Sequence, residues 1–286
     1  MTRPPRARSA GRAADQTGKS MVRRMRLDTE LVRRGLARSR EQAADLIAAG
    51  RVAVGGQTAA KPATQVGQDA AITIAQASAA PDYASRGGRK LEGALAAFAG
   101  LTVAGRRCLD AGASTGGFTD VLLRAGAAQV VAVDVGYGQL AWALRTDPRV
   151  TVLDRVNVRQ LTPEQVAPAP GLVTADLSFI SLSLVLPALA ACAAPDADFV
   201  LLVKPQFEVG RGNVGAGGVV RDPARRAEAV MSVAAAAARL GLGVQGVTAS
   251  PLPGPSGNVE YFLWLHRAAP PLDEAALQQA ITEGPQ

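Results

Sequence analysis

Four charged residues stand at the edges of apolar segments: Lys90, Asp176, Lys204 and Glu260. Lys90 opens a helix after the turn SRGGRK, Asp176 closes the run GLVTAD, and Lys204 directly follows DFVLLV. Glu260 starts the run YFLWL after a loop rich in glycine and proline. Amines and carboxylates at such positions can move a proton or stabilise a developing charge. A lysine next to a buried strand is costly unless it has a use or extends to solvent. Taken singly, each of the four could equally be an ordinary surface residue.

A glycine-rich turn, LDAGASTGGFTD at residues 109–120, joins an apolar strand to the start of a helix. Asp134 closes the next strand, VVAVD, and lies about 20 residues beyond Gly112, where a carboxylate can bind both hydroxyls of a nucleoside ribose. An adenosyl group is therefore indicated. NAD enzymes use the same acid, but the spacing here is G-x-x-x-G-G and not G-x-G-x-x-G. A purely structural turn is the alternative.

The composition excludes several classes of protein. The chain has 286 residues, of which 48% are hydrophobic and 19% charged, so it is not wholly disordered and can bury a core in one or two domains. Its single histidine, His266, excludes a multi-histidine metal site and argues against a Ser-His-Asp triad. Two distant cysteines, Cys108 and Cys192, offer neither a zinc ribbon nor a disulfide scaffold, which favours a reducing, cytoplasmic location.

No membrane segment is expected. The basic N-terminus is not followed by the apolar core of a secretory signal. The apolar stretch 178–194 is slightly short for a bilayer span and contains three serines and Pro187. We therefore expect a buried helix of a soluble domain.

A small α+β module is predicted after a basic N-terminal tail. Four apolar residues share one face of a first helix: Leu27, Leu31, Val32 and Leu36. Ser39 reads as the N-cap of a second helix, with Gln42 three residues on, and Gly50 ends that helix. The segments RVAV and AITIA read as short strands around a Gly-Gly turn.

Beyond the module, apolar strands alternate with helices. The strands read as CLDAG, VVAVDVG, VTVLDR, GLVTADLSF, DFVLLVKP, VQGVTASP and YFLWLHR. Helical character is found near 116–126, 137–146, 181–193 and 222–240. This alternation predicts an α/β domain with a mostly parallel, doubly wound sheet, and the last strand is expected to form a hairpin.

The charge is distributed unevenly. Residues 1–90 hold 17 of the 31 Lys and Arg residues but only 7 of the 24 Asp and Glu residues. Such asymmetry indicates that one module binds a polyanion, although a solvated basic tail is the simpler alternative.

The segment RLDTELVRRGLARSREQAADLIAAGRVAVGG resembles the S4-type RNA-binding domain. The resemblance rests on its ordered elements: the RLD opening, the basic RRG stretch, the SREQA helix start and the G-x-V-x-V-x-G run. It implies docking on structured RNA through phosphate and shape contacts. The arginines expected on the RNA are Arg33, Arg34, Arg38, Arg40 and Arg51, with Lys61 less firmly assigned.

The second module resembles class I S-adenosylmethionine-dependent methyltransferases, in particular the FtsJ-like ribose 2′-O-methyltransferases with their K-D-K-E tetrad. The segments SRGGRKLEGAL, DAGASTGGFTD, ADLSFISL, VKPQFE and GNVEYFLWL, together with the S4-like module, are similar to the TlyA family over residues 21–267. That family methylates cytidines of 23S rRNA and, in some members, of 16S rRNA. The FtsJ branch has A-P-G-G-W where this chain has STGGF, so the contacts of this loop are not carried over directly.

The resemblance implies roles for named residues. Lys90, Asp176, Lys204 and Glu260 would be catalytic. The division of labour is a hypothesis from the chemistry of the residues: a lysine whose pKa is depressed by burial and a second cation could accept the proton of the ribose hydroxyl, and we expect Lys204 in that role. Asp176 and Lys90 would orient it and steady the oxyanion, and Glu260 would hydrogen-bond to the lysines or the ribose. S-adenosylmethionine would be bound by Asp110, Gly112, Ser114, Gly116, Gly117, Phe118, Asp134 and Asn157, and no metal would be needed. Asp154 competes with Asn157 as the adenine contact. Phe179 and Phe207 are interpreted either as stacking on the target base or as core aromatics.

Two other functions are kept open. The chain could be an RNA-binding ribosome-assembly factor with a decayed methyltransferase fold. The family also carries an old haemolysin label, but no amphipathic or spanning segment of adequate length supports it. A monomer is expected. The predicted organisation is a disordered tail (1–20), an S4-like domain (21–80), a linker (81–90), a methyltransferase domain (91–270) and a C-terminal helix or tail (271–286).

Overall fold

The computed structural model describes residues 24–48, 50–59, 61–75 and 83–284. Contacts divide the chain into two units, residues 1–80 and residues 81–286. The predicted tail at residues 1–20 lies outside the described residues.

The first unit has the predicted α+β character. Its elements are β1 (Arg24–Arg26), α1 (Leu27–Arg33), α2 (Arg40–Ala48), β2 (Val52–Val54), β3 (Gln57–Thr58), β4 (Gln65–Gly67) and β5 (Ile72–Ile74). β1 pairs with β4, and the other three strands form a sheet in the order β3-β2-β5, all antiparallel. Buried apolar residues from α1, α2, β2 and β4 form one core: Leu27, Leu31, Ala43, Ile47, Val52 and Val66.

Local signals at the second helix are confirmed, and two other details of this unit are corrected. The Ser39 hydroxyl accepts the Gln42 backbone N–H at 3.1 Å, as expected of an N-cap. The turn of Gly55 and Gly56, both at positive φ, joins β2 to β3 and not to AITIA, which pairs with β2 as β5. Leu36 lies beyond the end of α1 and is exposed, because the helix ends at Arg33.

The second unit is the predicted α/β domain. Its strands are β6 (Arg107–Ala111), β7 (Gln129–Asp134), β8 (Val150–Asp154), β9 (Leu172–Ala175), β10 (Asp198–Val203), β11 (Gly243–Ala249) and β12 (Tyr261–His266). Its helices are α3 (Gly87–Ala97), α4 (Gly117–Arg124), α5 (Trp142–Arg145), α6 (Pro163–Val166), α7 (Leu182–Cys192), α8 (Pro205–Glu208), α9 (Pro223–Ala238) and α10 (Glu274–Glu283).

The seven strands form one sheet in the order β11-β12-β10-β9-β6-β7-β8. Strands β8, β7, β6, β9 and β10 are parallel, and β12 lies antiparallel between β10 and β11, as the predicted hairpin requires. Neighbouring residues of β6, Cys108 and Leu109, point into two different buried clusters, so both faces of the sheet are covered.

The helix predicted at residues 137–146 is largely wrong, since only Trp142–Arg145 is helical. The preceding residues form a loop because carboxylates hold its backbone: Asp134 accepts the N–H of Gly136 at 2.7 Å, and Asp154 accepts that of Gly138 at 3.3 Å. At the other end of the unit, the predicted C-terminal helix is present as α10, and it buries Leu277, Ala280 and Ile281 in the larger core cluster.

Candidate active site

Three of the four candidate catalytic residues meet at one edge of the sheet because of the strand order. Asp176 follows β9 and Lys204 follows β10, and these strands are parallel neighbours. β12 runs the opposite way, and Val203 pairs with Tyr261. Glu260, at the start of β12, therefore lies beside the carboxyl end of β10.

Lys204 is held by two side chains of the segment after β9. Its Nζ atom lies 2.6 Å from Asp176 Oδ1 and donates to Ser178 Oγ at 3.0 Å. The Lys204 side chain is about nine-tenths buried, whereas that of Asp176 is one-fifth exposed. Ser178 was not among the predicted site residues, although it stands two positions after Asp176 in the quoted segment ADLSFISL.

Lys90 and Glu260 form a second ion pair. Lys90 Nζ lies 2.5 Å from Glu260 Oε2, and both side chains are almost fully buried. The other carboxylate oxygen, Glu260 Oε1, is buried and has no hydrogen-bond partner within the described chain.

The first turn of α3 brings the two pairs close together. A Cβ atom built on Gly87 would lie 3.8 Å from Asp176 Oδ2, and Lys90 follows three residues later on the same helix. The structure thus gathers the four predicted residues as two lysine–carboxylate pairs beside one helix end.

A cavity of about 490 Å³ opens next to these pairs, at the carboxyl ends of β6, β7, β8 and β9. This edge is where ligands bind in open α/β sheets. The predicted residues in its wall are Gly112, Ser114, Asp134, Asn157, Asp176 and Phe179.

Gly112 allows the turn after β6 to approach the segment after β9. Its φ is +86°, and a Cβ atom there would lie 2.6 Å from the Asp176 carbonyl oxygen, so a side chain would be excluded on both grounds. Asp134 lies across the cavity and accepts the backbone N–H of Ser114 at 2.8 Å and that of Gly136 at 2.7 Å. These bonds hold the carboxylate still at the cavity edge.

Four other predicted cofactor residues do not line the cavity. Gly116 caps α4 at φ +98°, and Gly117 packs so closely on α3 that a Cβ atom would lie 2.8 Å from the Gly88 nitrogen. Phe118 is buried, and its ring centroid lies 6.1 Å from that of Phe262. The glycines therefore serve the close packing of the turn, and direct cofactor contact by these residues stays a prediction.

Asp110, the fourth of these residues, is fully buried behind the turn. Its carboxylate accepts the Thr119 hydroxyl at 2.7 Å and the Thr174 hydroxyl at 3.3 Å. Burial raises the pKa of Asp110 to about 7, and the negative charge of Asp176 acts in the same direction.

The choice between the two candidate adenine contacts favours Asn157. Asp154 forms an ion pair with Arg145 at 2.9 Å and is used in fixing the preceding loop. Asn157 lines the cavity, and its Oδ1 atom accepts the Arg159 backbone N–H at 3.1 Å; its contact with adenine stays a prediction.

Phe179 is exposed at the mouth of the cavity, so its interpretation as a core aromatic is wrong. The residue is 91% exposed and has a φ of +65°, a backbone conformation that is rare for an aromatic side chain. Its ring centroid lies 5.2 Å from that of Phe207, which follows Lys204 on α8.

The arginines of the first unit differ in how strongly they are held. Arg34 donates to Glu30 at 2.7 Å and to the carbonyl oxygens of Gln68 and Ala70 at 2.7 and 2.8 Å, and its side chain is only 22% exposed. Arg33 also pairs with Glu30, which is fully buried. These contacts hold the pKa of Glu30 low, at about 2.

The remaining candidates are more open. Arg40 donates to Asp28 at 3.0 Å and is 62% exposed, and Arg51 donates to the Ala75 carbonyl oxygen at 3.2 Å. Arg38 is exposed, and only its backbone N–H bonds to a side chain, that of Gln42. Lys61 is also exposed. Arg38, Arg40 and Lys61 are therefore exposed enough to contact a polyanion, although Arg40 also pairs with Asp28, whereas Arg34 mainly holds the unit together.

Neither a membrane span nor a metal cluster is found in the described part of the chain. None of the helices there has the length and apolar character that crossing a bilayer requires. No group of three or more His, Cys, Asp and Glu side chains is arranged there to hold a metal ion.

Comparison with known proteins gives two matching domain families and close full-length relatives. The FtsJ-like methyltransferase family matches residues 83–267, and the S4 domain family matches residues 25–72. The chain is 62% identical over 271 residues to the 16S/23S rRNA (cytidine-2′-O)-methyltransferase TlyA of Mycobacterium tuberculosis, which covers 93% of this chain and 100% of that protein. It is 45% identical to the proposed rRNA methyltransferase YqxC of Bacillus subtilis, over 84% of this chain and 85% of the relative.

A solved structure shares the fold. A protein from Streptococcus thermophilus, described as a hemolysin candidate, is 38% identical and superposes with a TM-score of 0.73, over 92% of this chain and 96% of the other.

Proposed function

This chain belongs to the TlyA family, in which an S4 domain precedes an FtsJ-like methyltransferase domain, and we propose that it transfers a methyl group from S-adenosylmethionine to the ribose 2′-hydroxyl of a cytidine in ribosomal RNA. One observation carries the proposal: Asp176, which lines the cavity, is ion-paired to the buried Lys204. A potential proton acceptor thus lies beside a cavity of the kind that holds an adenosyl cofactor.

The cavity fits S-adenosylmethionine. Its volume of about 490 Å³ accommodates a nucleoside-sized ligand, and the Asp134 carboxylate at its edge suits the two ribose hydroxyls. Asn157 would contact the adenine, and Gly112 would allow the cofactor to approach the backbone. When bound, the cofactor supplies a methyl group already activated on a sulfonium.

The protein must position a poor nucleophile and remove its proton. Lys204, once it has lost its own proton to solvent, would accept the proton of the 2′-hydroxyl at Nζ while the 2′-oxygen bonds to the methyl carbon and the bond from that carbon to the sulfonium sulfur breaks. Asp176 lies 2.6 Å from Nζ, so it would stabilise the ammonium that forms, and Ser178 would fix the direction of the amine. Much of the rate enhancement would come from this alignment.

Lys90 and Glu260 would act as an electrostatic unit. Their short, buried ion pair fixes the position of the Lys90 ammonium on the first turn of α3, the turn that approaches the Asp176 carboxylate at Gly87. That charge would steady the developing oxyanion. Phe179, exposed at the cavity mouth, would stack on the target base.

The substrate is assigned through the relatives and the first unit. The Mycobacterium tuberculosis relative is a 16S/23S rRNA enzyme. We infer that this chain acts on cytidine in 23S rRNA and also in 16S rRNA, in the cytoplasm and as a monomer. The exposed arginines of the S4 domain would dock the RNA through its phosphates.

Calorimetry with S-adenosylmethionine tests the proposal against a non-catalytic assembly factor. The proposal expects binding that weakens at least tenfold in Asp134→Ala, which loses the ribose contact, and is unchanged in Asp196→Ala, an exposed acid. A decayed methyltransferase fold would give no binding by the wild-type chain. A membrane-lytic function predicts that the purified protein lyses membranes, and no feature of the site supports such an activity.

A further inference from the structure

Glu208 joins two parts of the active site that are 26 residues apart in the chain. It is the last residue of α8, the four-residue helix that starts directly after Lys204. Its carboxylate accepts the Ser181 hydroxyl at 2.5 Å and the Leu182 backbone N–H at 2.8 Å. Ser181 is the N-cap of α7 and Leu182 its first residue, so Glu208 holds the start of α7 against the turn that bears Lys204.

The segment fixed by these bonds carries much of the site. Residues 176–181 connect β9 to α7 without helical or strand structure. They contain Asp176 and Ser178, which hold Lys204, and the exposed Phe179. Most of this segment lines the cofactor cavity. The sheet fixes the amino end of the segment. At the carboxyl end, the Glu208 side chain, which belongs to α8, binds Ser181 and Leu182 at the start of α7.

We propose that Glu208 is a positioning residue: it keeps the segment 176–181 in register with α8, so that Lys204 Nζ stays between Asp176 and Ser178 and Phe179 stays at the cavity mouth. The inference rests on the proposed function for its consequence, since the alignment of Lys204 affects turnover through the proton transfer of the proposed reaction. A simpler role, capping α7 for stability alone, makes a different prediction.

The chemistry of the contact defines suitable variants. Both bonds need an acceptor at Glu208, and burial raises the pKa of its carboxyl although the bonds from Ser181 and Leu182 oppose the shift. In Glu208→Gln the amide oxygen can still accept the Leu182 N–H, and the amide nitrogen can donate to the Ser181 hydroxyl. Glu208→Ala removes both contacts, and Ser181→Ala removes one.

The test measures the full-length chain in three ways. Steady-state methyl transfer to rRNA gives KM, and kcat per folded molecule. Hydrogen exchange of peptides covering residues 176–184 reports the order of the segment. Calorimetry gives the affinity for S-adenosylmethionine. Glu164→Ala is the matched control, since Glu164, like Glu208, is an acid in a four-residue helix and accepts a bond from a side chain, in this case that of Thr162 next to α6.

We expect Glu208→Ala to lower kcat at least tenfold, to weaken cofactor binding several-fold and to speed exchange of the segment at least fivefold. Glu208→Gln should recover most of the loss, Ser181→Ala should lie between, and Glu164→Ala should match the wild type. A capping role alone would lower the unfolding midpoint while leaving kcat per folded molecule within twofold.

That last result, with unchanged exchange of residues 176–184, would overturn the inference. If Glu208→Ala fails to fold, Ser181→Ala and Glu208→Gln decide the question by the same measurements. If the wild-type chain methylates no rRNA, the proposed function fails. In that case, hydrogen exchange and the affinity for S-adenosylmethionine still show whether Glu208 orders the segment.

Discussion

The Lys90 ammonium lies 2.5 Å from the Glu260 carboxylate, although 170 residues separate them in the chain. Both side chains are almost fully buried, so each charge depends on the other for compensation. This pair fastens α3 to the start of β12, next to the Asp176 carboxylate.

Breaking this pair should destabilise the second unit. In Lys90→Met the Glu260 carboxylate is left buried and uncompensated, a situation that costs about 3–5 kcal/mol. The double variant Lys90→Met/Glu260→Gln should recover much of that loss. Urea unfolding followed by tryptophan fluorescence measures it, since both tryptophans, Trp142 and Trp264, belong to this unit. Lys204→Met is the control with the smaller expected loss, because its partner Asp176 is more exposed. Equal losses in the two single variants would show that the greater burial of Glu260 does not make its pair with Lys90 more important for stability.

Lys204 is predicted to be needed for turnover and dispensable for cofactor binding. Lys204→Ala should lower kcat by about 10²–10⁴, the range for loss of a positioned general base. Lys204→Arg should not recover activity, because a guanidinium stays protonated and cannot accept a proton. Single-turnover methylation of rRNA and calorimetry with S-adenosylmethionine check the two halves of this prediction. Normal turnover by Lys204→Ala with both substrates bound would remove Lys204 from the role of base.

Two arginines of the S4 domain should behave differently when replaced. Arg38→Ala should leave the fold intact, weaken rRNA binding and reduce the slope of log affinity against log salt by about 1, since one phosphate contact is lost. Arg34→Ala should destabilise the unit, because buried Glu30 and two carbonyl groups lose a partner.

Salt-dependent binding assays and hydrogen exchange of residues 24–75 distinguish the two effects. Arg239→Ala, which removes an exposed charge from the second unit, is the control. A normal exchange pattern in Arg34→Ala, together with a reduced salt slope, would show that Arg34 contacts RNA.

The buried Asp110 should give the second unit a characteristic pH dependence. Its pKa is about 7 in the folded chain and about 3.9 in an unfolded one. Between these values the folded state holds a proton that the unfolded state has lost, so the free energy of unfolding falls as pH rises from about 4 to about 7 and then levels off.

Asp110→Asn should lack this pH dependence, which amounts to about 3 kcal/mol between pH 5 and pH 8. Unfolding monitored by tryptophan fluorescence gives the free energy of unfolding of the wild type and of the variant, and the difference between the two is compared at pH 5 and at pH 8. Asp196→Asn should keep the wild-type curve. If the difference in unfolding free energy between the wild type and Asp110→Asn is the same at both pH values, burial does not raise the pKa of Asp110.

The sequence predicts those site residues whose positions depend on elements that are adjacent in the chain. Asp134 could be found because a strand, a glycine turn and a helix place the acid of the next strand at the cofactor edge. Phe179 was ambiguous because its residue type favours the core, whereas the irregular backbone at φ +65° turns it outward. The tetrad residues could be named through the family resemblance, since each stands at the end of an apolar element.

The pairing of these residues could not be predicted. Lys90 can pair with Glu260 because β12 lies antiparallel beside β10, whereas Lys204 meets Asp176 because β9 and β10 are parallel neighbours; both arrangements bring distant residues together. Glu208 was missed for the same reason. It belongs to a four-residue helix, and its contacts depend on where the start of α7 lies in the folded chain.

The proposed reaction places the transferred methyl group on a ribose 2′-oxygen of rRNA. The most direct test incubates the protein with S-adenosylmethionine labelled in the methyl group and with purified, unmethylated 30S and 50S subunits, and then hydrolyses the recovered RNA with alkali. A methylated 2′-oxygen cannot take part in alkaline cleavage, so we expect label in an alkali-resistant dinucleotide that contains cytidine. Label confined to mononucleotides would contradict it.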